Sequence, residues 1–369
     1  MNIWISQSRS SITIWGCKNE MEVRFYSPEM NFIGLMENQK SLVWKRKFYE
    51  PGSIKLFCPL TDDNLKLTRK GNLVWKRGAK EAAVIEDRLI TDTVDDRHIE
   101  VEGRFLSSYM DRRLIMPRVQ FSGRVEVAMR QLLSGIEFPI PLVELGDLNG
   151  FTETISFQAT YKNLLEYETK LSKCSDIGFR FRPDFNEKKI FFETYKGTDR
   201  TISQVISNRV IFSDMYNNLN EMTYRENDLL LKNVVFIGGQ GQGDERVIVS
   251  FGSAEGLERR ELFVDARDLE RTEGMTLQEY EEKLIQRGLE KQTSCQESTT
   301  IECVTDANAN FEYITNYDLG DIVTVKKKDW GITLNLRITE IEEVYEKGKM
   351  EIYPVFGDPL PESIDWRDD

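Results

Sequence analysis

Apolar and polar residues alternate with a period of two along most of this chain, most clearly near its end. Ile332, Leu334, Leu336 and Ile338 alternate with Thr333, Asn335, Arg337 and Thr339, the spacing that turns one face of a strand to a core and the other to water. Met350, Ile352 and Phe356 continue the pattern, and Glu346 to Lys349, with Gly348 inside, suits the hairpin turn between the two runs. An echo stands near the start. LTRKGNLVWKRG (Leu67 to Gly78), AVIEDRLI (Ala83 to Ile90) and HIEVEGRF (His98 to Phe105) parallel YDLGDIVTVKKK (Tyr317 to Lys328), LRITEIEEV (Leu336 to Val344) and KMEIYPVFG (Lys349 to Gly357). Each copy opens on Gly followed by Asn or Asp, enters an apolar strand ending in basic residues, and returns through two more strands. The spacings differ by a few residues. Two similar β-modules per chain let a trimer present six similar surfaces, which points to an assembly part rather than a catalyst.

The pattern divides the chain. Strands at Val23 to Tyr26, Ile33 to Met36, Leu42 to Trp44, Ile54 to Phe57, Leu73 to Trp75, Val84 to Glu86 and Ile99 to Val101, with turns at Ser27-Pro28, Pro51-Gly52 and Asp62-Asp63-Asn64, predict a first small β-barrel domain over 21–116. After Pro117 the period shifts to 3.6: Val125, Ala128, Met129, Leu132 and Leu133 share a helix face, with Ser122 as N-cap and Gly135 as stop. A helix from Thr160 to Lys173 and a hairpin, GFRFR to KKIFFETY, complete an α+β domain over 117–200. Strands at Val210 to Phe212 and Leu229 to Ile237 join the C-terminal meander in a second β-barrel domain, 201–265 and 317–357. It is interrupted by a helix-containing insertion, 266–316, in which Thr276 and Glu279 form a capping box. Residues 1–20 read as an N-terminal extension before Met21, and 358–369 as an acidic C-terminal tail. The fold class is mainly β with α+β insertions: two similar small β-barrel domains plus two α+β domains.

Composition narrows the chemistry. With 40% apolar residues the 369-residue chain builds real cores, and 62 acidic against 49 basic residues give a net charge of −13, which disfavours nucleic-acid binding, sequence-specific or general. Cys17, Cys58, Cys174, Cys295 and Cys303 show no paired short spacing, so neither a disulfide framework nor a zinc cluster is indicated. No apolar run approaches the ~20 residues of a membrane span, and the N-terminus lacks a signal-peptide core; the chain reads as made in the cytoplasm. The basic clusters Lys45 to Lys47, Arg112 with Arg113, and Lys326 to Lys328 read as charged strand ends guarding sheet edges.

GGQGQGDER (Gly238 to Arg246) resembles a phosphate loop only superficially, because the strand VIVSF follows it where a helix N-terminus is needed; a hairpin is expected. His98, the single histidine, reads as a surface residue at the start of a strand. The carboxylate pairs Asp62 with Asp63, Asp95 with Asp96, and Glu342 with Glu343 carry little signal among 62 acids. No catalytic, cofactor-binding or metal-ligating residue is assigned. Two alternatives stay open: a peptidoglycan-degrading enzyme using a carboxylate pair, and a carbohydrate-binding module for cell surfaces.

MEVRFYSPEMNFIG (Met21 to Gly34), KFYEPGSIKLFCPL (Lys47 to Leu60), GRFLSSYMDRRLI (Gly103 to Ile115), ATYKNLLEYETKL (Ala159 to Leu171), GGQGQGDER and YDLGDIV together resemble the hub or tail-associated structural proteins at the tail tip of long-tailed phages and prophages. The resemblance implies a non-enzymatic homotrimer, located at the virion tail tip, in which two similar barrels per subunit alternate around a pseudo-hexameric ring. Such a ring joins a six-fold tail tube or distal tail ring to three-fold tip components. The implied partners are the distal tail protein or tube ring, the tape-measure protein, and receptor-binding or tip proteins.

Overall fold

The computed structural model describes residues 21–116, 118–216, 218–219, 222–292, 295, 298–303 and 311–357; the expected extension 1–20, the tail 358–369 and Cys17 lie outside them. The first period-two stretch becomes β1 (Val23–Tyr26), β2 (Phe32–Met36), β3 (Ser41–Lys47), β4 (Ser53–Pro59), β5 (Leu73–Lys76), β6 (Ala83–Asp92) and β7 (Arg97–Phe105). Alternation appears directly as burial, with Leu42, Trp44 and Arg46 turned inward from β3. The expected turn at Asp62-Asp63-Asn64 is instead the start of α1 (Asp62–Leu67). Thr61 caps it by accepting from the Asn64 N–H at 3.2 Å, and the two acids sit at the positive end of the helix.

The chain then leaves the sheet through a 3-10 turn, Leu106–Arg112, into an α+β unit. Its elements are β8 (Leu114–Ile115), β9 (Val119–Arg124), α2 (Val125–Ser134), β10 (Val143–Leu145), β11 (Thr154–Ala159), β12 (Lys162–Asn163), α3 (Leu164–Ser175), β13 (Gly178–Asp184) and β14 (Lys189–Tyr195). Ser122 is not the cap of α2: it lies in β9 opposite Ser156, and Arg124 takes the cap position without a side-chain bond. The β9–β11 ladder claims the backbone that a longer helix would need. Asn163 caps α3 by accepting from the Glu166 N–H at 3.1 Å.

The main sheet resumes with β15 (Ile211–Ser213) and β16 (Met222–Asn227). A second excursion follows: β17 (Val234–Gly238), β18 (Ile248–Phe251), β19 (Glu261–Asp265) and α4 (Leu277–Gln292), after which β20 (Ser298–Cys303), β21 (Ile322–Lys327), β22 (Ile332–Glu346) and β23 (Lys349–Gly357) complete the sheet. The Thr276–Glu279 capping box that starts α4 is reciprocal, at 3.2 Å and 2.8 Å. Strands β17 to β19, expected within the second barrel, form their own sheet and share a core with α4 through Val235, Ile237, Val264, Tyr280 and Leu284. β20, expected inside the insertion, belongs to the main sheet. Alternation marks a strand but not the sheet that it joins.

Thirteen strands form that sheet in the order β16-β20-β23-β22-β3-β4-β7-β6-β5-β1-β2, with β21 beside β22 and β15 beside β21. Among the described residues it has free ends and does not divide into two closed barrels. The reason is β22, a strand of 15 residues: its first half pairs with β21 and its second half with β3, fusing both modules along one ladder.

The two halves repeat each other. Taking β1, β3, β4, β5, β6, β7 and β15, β16, β20, β21, β22, β23 in chain order, the spatial order is first, fourth, fifth, sixth, third, second in both. They differ at the first strand, which pairs antiparallel with the fourth in one module and parallel in the other. Elsewhere the match reaches single bonds. A bulge interrupts β6 between Ile85 and Asp87, and another interrupts β22 between Ile338 and Glu340. Gly71 and Gly320 hold φ of +91° and +93° at matching places, a conformation that favours glycine. The Gly71 N–H donates to the Ile85 carbonyl at 2.8 Å and the Gly320 N–H to the Ile338 carbonyl at 2.9 Å. The return bonds, Ile85 to Asn72 and Ile338 to Asp321, measure 2.9 Å and 2.8 Å.

Phe48, just beyond β3, crosses from the first module into the core of the second, beside Phe212, Ile338 and Phe356. Its N–H donates to the Thr339 carbonyl at 2.9 Å. Its ring fills the space that side chains on Gly178 and Gly320 would occupy, a Cβ there falling at 2.7 and 2.5 Å from it. Phe48→Ala therefore destabilises the protein by ~3–5 kcal/mol, measured as a lower urea midpoint.

Candidate assembly interface

The seam between the modules is built from β3 and β22. Their antiparallel register runs from Glu340 opposite Lys47 to Glu346 opposite Ser41. On the outer face the Lys45 Nζ lies 2.7 Å from Glu340 Oε2, and the Lys47 Nζ 3.6 Å from Glu340 Oε1. The cluster Lys45 to Lys47 is thus no edge guard. It lies inside the sheet, because β22 covers the side of β3 that would otherwise end it.

The inner face holds a buried ionic network. Arg46, only 5% exposed, donates through Nη1 to Asp318 Oδ1 at 2.6 Å and to the Tyr313 hydroxyl at 2.9 Å, and through Nη2 to Glu81 Oε1 at 3.5 Å. The Nε approach to Glu81 Oε2, 3.3 Å, is an ion pair without hydrogen-bond geometry. Lys80 adds a contact to Asp318 Oδ2 at 3.0 Å. Beside this group Lys76 of β5 is paired with Glu343 of β22, which also accepts from Tyr313 at 3.0 Å and Tyr345 at 2.5 Å. Four of these contacts, Arg46 with Asp318, Arg46 with Tyr313, Lys80 with Asp318 and Lys76 with Glu343, join one module to the other.

Burial would raise the Asp318 carboxyl, but Arg46 and Lys80 overcome it and hold the group down at about 2. Burial likewise pulls the Arg46 guanidinium down, and Glu81, Tyr313 and Asp318 more than reverse the pull. Lys76 is lowered by burial, which Glu343 offsets only in part. Such a network adds modest net stability but makes loss of any one partner expensive. The same loop carries Asp321, whose carboxylate accepts from the Thr198 N–H at 2.7 Å and from Arg200 Nε at 2.6 Å. The YDLGDIV segment therefore ties the first module, the chain leaving the α+β unit and the second module together.

The remaining sequence candidates do not converge. Asp62 and Asp63 open α1, Asp95 and Asp96 lie in the exposed β6–β7 turn, and Glu342 and Glu343 point to opposite faces of β22. The glycine-rich loop is a hairpin between β17 and β18, pinned by Arg246, which donates to the Gly238 carbonyl at 2.8 Å and to Asp265 at 2.7 Å. Arg112 pairs with Glu86 at 3.0 Å, and Lys327 with Asp214 at 3.0 Å. His98, expected on the surface, is 6% exposed. Its ring lies against Phe57 and bonds Asp96 and Glu100 at 2.7 and 2.9 Å, because neighbours two residues away on either side fold over it. Among the described residues no group of three or more His, Cys, Asp or Glu is placed to hold a metal, and no helix is long and apolar enough to cross a membrane.

Comparison with known proteins adds a family and a fold. The family model described as siphovirus ReqiPepy6 Gp37-like protein matches residues 22–358. No curated protein matches the sequence. Among solved structures, a tail protein from Neisseria meningitidis MC58 superposes with a TM-score of 0.58 at 12% identity, covering 92% of this chain and 96% of that one. Prophage tail protein gp18 from Listeria monocytogenes EGD-e gives 0.56 at 13%, covering 92% and 94%. The 43 kDa tail protein of prophage MuSo2 from Shewanella oneidensis gives 0.57 at 10%, covering 91% and 98%. Each of these likenesses is one of fold.

Three outcomes follow from the seam and its surroundings. Arg46→Leu strands Glu81 in the interior, leaves Asp318 with Lys80 alone, and lowers unfolding free energy by ~3–5 kcal/mol. In the unsubstituted protein the Asp318 contribution is complete above the ~3.9 of an unfolded aspartate and fades as pH falls toward about 2, so acid titration followed by circular dichroism loses stability in that window. Hydrogen bonding to Asp96, with Glu100 in support and burial opposing, raises the His98 imidazole. Its contribution is therefore complete below the ~6.5 of a free imidazole and lost as pH rises through the raised value. As the chain's one histidine it gives a single NMR titration curve, displaced to higher pH.

Proposed function

The chain belongs to the family of siphovirus ReqiPepy6 Gp37-like proteins, and on that premise we propose that it is a non-enzymatic structural hub of a phage or phage-like tail tip. Three copies form a pseudo-hexameric ring that joins the six-fold tail tube or distal tail ring to three-fold tip components. The observation that carries this reading is the duplication inside the main sheet: one strand order twice, with matched bulges and matched left-handed glycines. A three-membered ring meets a six-membered one without mismatch only if each chain supplies two equivalent docking units. A trimer with one unit per chain would leave polar groups and strand edges unmatched at alternate positions, at ~1–3 kcal/mol for each buried group.

In this reading the two six-strand modules act as the barrel-like ring units, and the two α+β units stand outside the ring. The distal tail protein or tube ring, the end of the tape-measure protein, and receptor-binding or tip proteins are the partners, and the protein works at the virion tail tip after synthesis in the host bacterial cytoplasm. The likeness in fold to tail proteins from two prophages and from Neisseria supports the setting.

Sedimentation of the purified protein, alone and mixed with its ring partner, tests the proposal. Three chains per particle is the expected result; a monomer that stays a monomer in the presence of the ring overturns it.

A further inference from the structure

The duplication leaves a remainder. Inside one chain the second half of β22 pairs with β3, but the corresponding half of β6 and the corresponding strand β16 have no such mate among the described residues. β6 meets β5 only at Ala83 and Val84, so among the described residues no strand pairs with its outer edge from 86 to 92, where Arg88 reaches back to the Leu65 carbonyl at 3.2 Å, while β16 pairs with β20 alone and ends the sheet. We propose that this edge of β6 pairs antiparallel with β16 of a neighbouring copy, in the register that β22 makes with β3 within the chain. The inference rests on the trimeric reading above and supplies its contact.

The register follows from the ladders. Setting bulge on bulge equates Ile338 with Ile85 and Glu340 with Asp87. The row Ile338, Phe356, Ile301, Tyr224 then matches the row Ile85, Gly103, Ile54, Trp44. Tyr224 accordingly stands where Trp44 stands, and Arg225 where Lys45 stands. Transferring the β22–β3 register sets Asp87 opposite Asn227, Arg88 opposite Glu226, Leu89 opposite Arg225, and Thr91 opposite Thr223 of the next copy.

The chemistry of the two edges agrees with that register. The seam's outer ion pair, Lys45 to Glu340 at 2.7 Å, becomes Arg225 to Asp87, with the same sign at each end. Arg88 and Glu226 add a directly opposed pair. Leu89 and Ile90, 54% and 40% exposed in the single chain, gain cover from the aliphatic stem of Arg225 and the ring of Tyr224. An open edge of this kind is a hazard in a monomer and a docking strip in a ring. Each chain then brings one internal seam and one half of each external seam on either side, so three chains close six seams.

Cysteine pairing tests this. In the double variant Thr91→Cys with Thr223→Cys, oxidation joins neighbouring chains and non-reducing gels show dimer and trimer bands. The off-register pair Thr91→Cys with Arg225→Cys gives several-fold less. In parallel, Arg225→Asp weakens trimer formation ~10-fold or more through like-charge contact with Asp87, and adding Asp87→Arg restores it. Both edges are solvent-exposed, so circular dichroism of each variant verifies an unchanged fold. A protein that sediments as a trimer but fails to cross-link at 91 and 223, or is not rescued by the charge swap, overturns the proposed seam and leaves the hub reading standing. A chain that never forms trimers overturns both.

Discussion

The pairing of β3 with β22 is the constraint on which the rest of the molecule depends. It brings together segments separated by almost the whole sequence, and the Arg46 guanidinium meets the Tyr313 hydroxyl across 267 positions. Backbone bonds set the register, but the buried charges make it specific. A shift by one residue would carry Arg46 to the outer face and leave Glu81, Asp318 and Glu343 facing apolar side chains. Hydrophobic matching alone, Leu42 and Trp44 against Tyr345 and Ile341, would tolerate more than one solution.

Around that seam the two α+β units behave as attachments with separate cores. The first packs Met129, Leu132, Phe157, Leu171, Phe179 and Phe192 together and reaches the sheet through Tyr26, Leu106 and Met110. The second is built on α4 and leans on the first, where the Tyr167 hydroxyl meets Glu290 at 3.1 Å and Arg118 meets Glu270 at 2.9 Å.

Much of the sheet was legible in the sequence because its signals are local. The alternation from Ile332 to Thr339, the Lys347-Gly348 turn with both residues at positive φ, and the Thr276–Glu279 box each specify their own element. The echo between LTRKGNLVWKRG and YDLGDIVTVKKK was legible too, and its glycines fall in register in the structure. What the text did not carry was membership. Nothing in Val234 to Asp265 says that these strands form a separate sheet, and nothing in KRK at Lys45 to Lys47 says that its central arginine is buried while its lysines are not. The burial of Arg46 depends on partners hundreds of residues away, and that of His98 on Phe57, which the pairing of β4 with β7 brings beside it.

The separation in sequence that the seam spans also sets a schedule for synthesis. β3 is complete after 47 residues, whereas β22 ends at residue 346. At ~5–20 residues per second the ribosome needs roughly 15–60 s to make the intervening chain. Throughout that interval the first module carries an unfinished edge and an arginine without its Asp318 counter-charge, while neighbouring nascent chains on the same messenger carry identical edges. The late arrival of the C-terminal strand thus places the greatest risk of wrong pairing before release from the ribosome, and makes the order of folding part of what the duplicated sheet must satisfy.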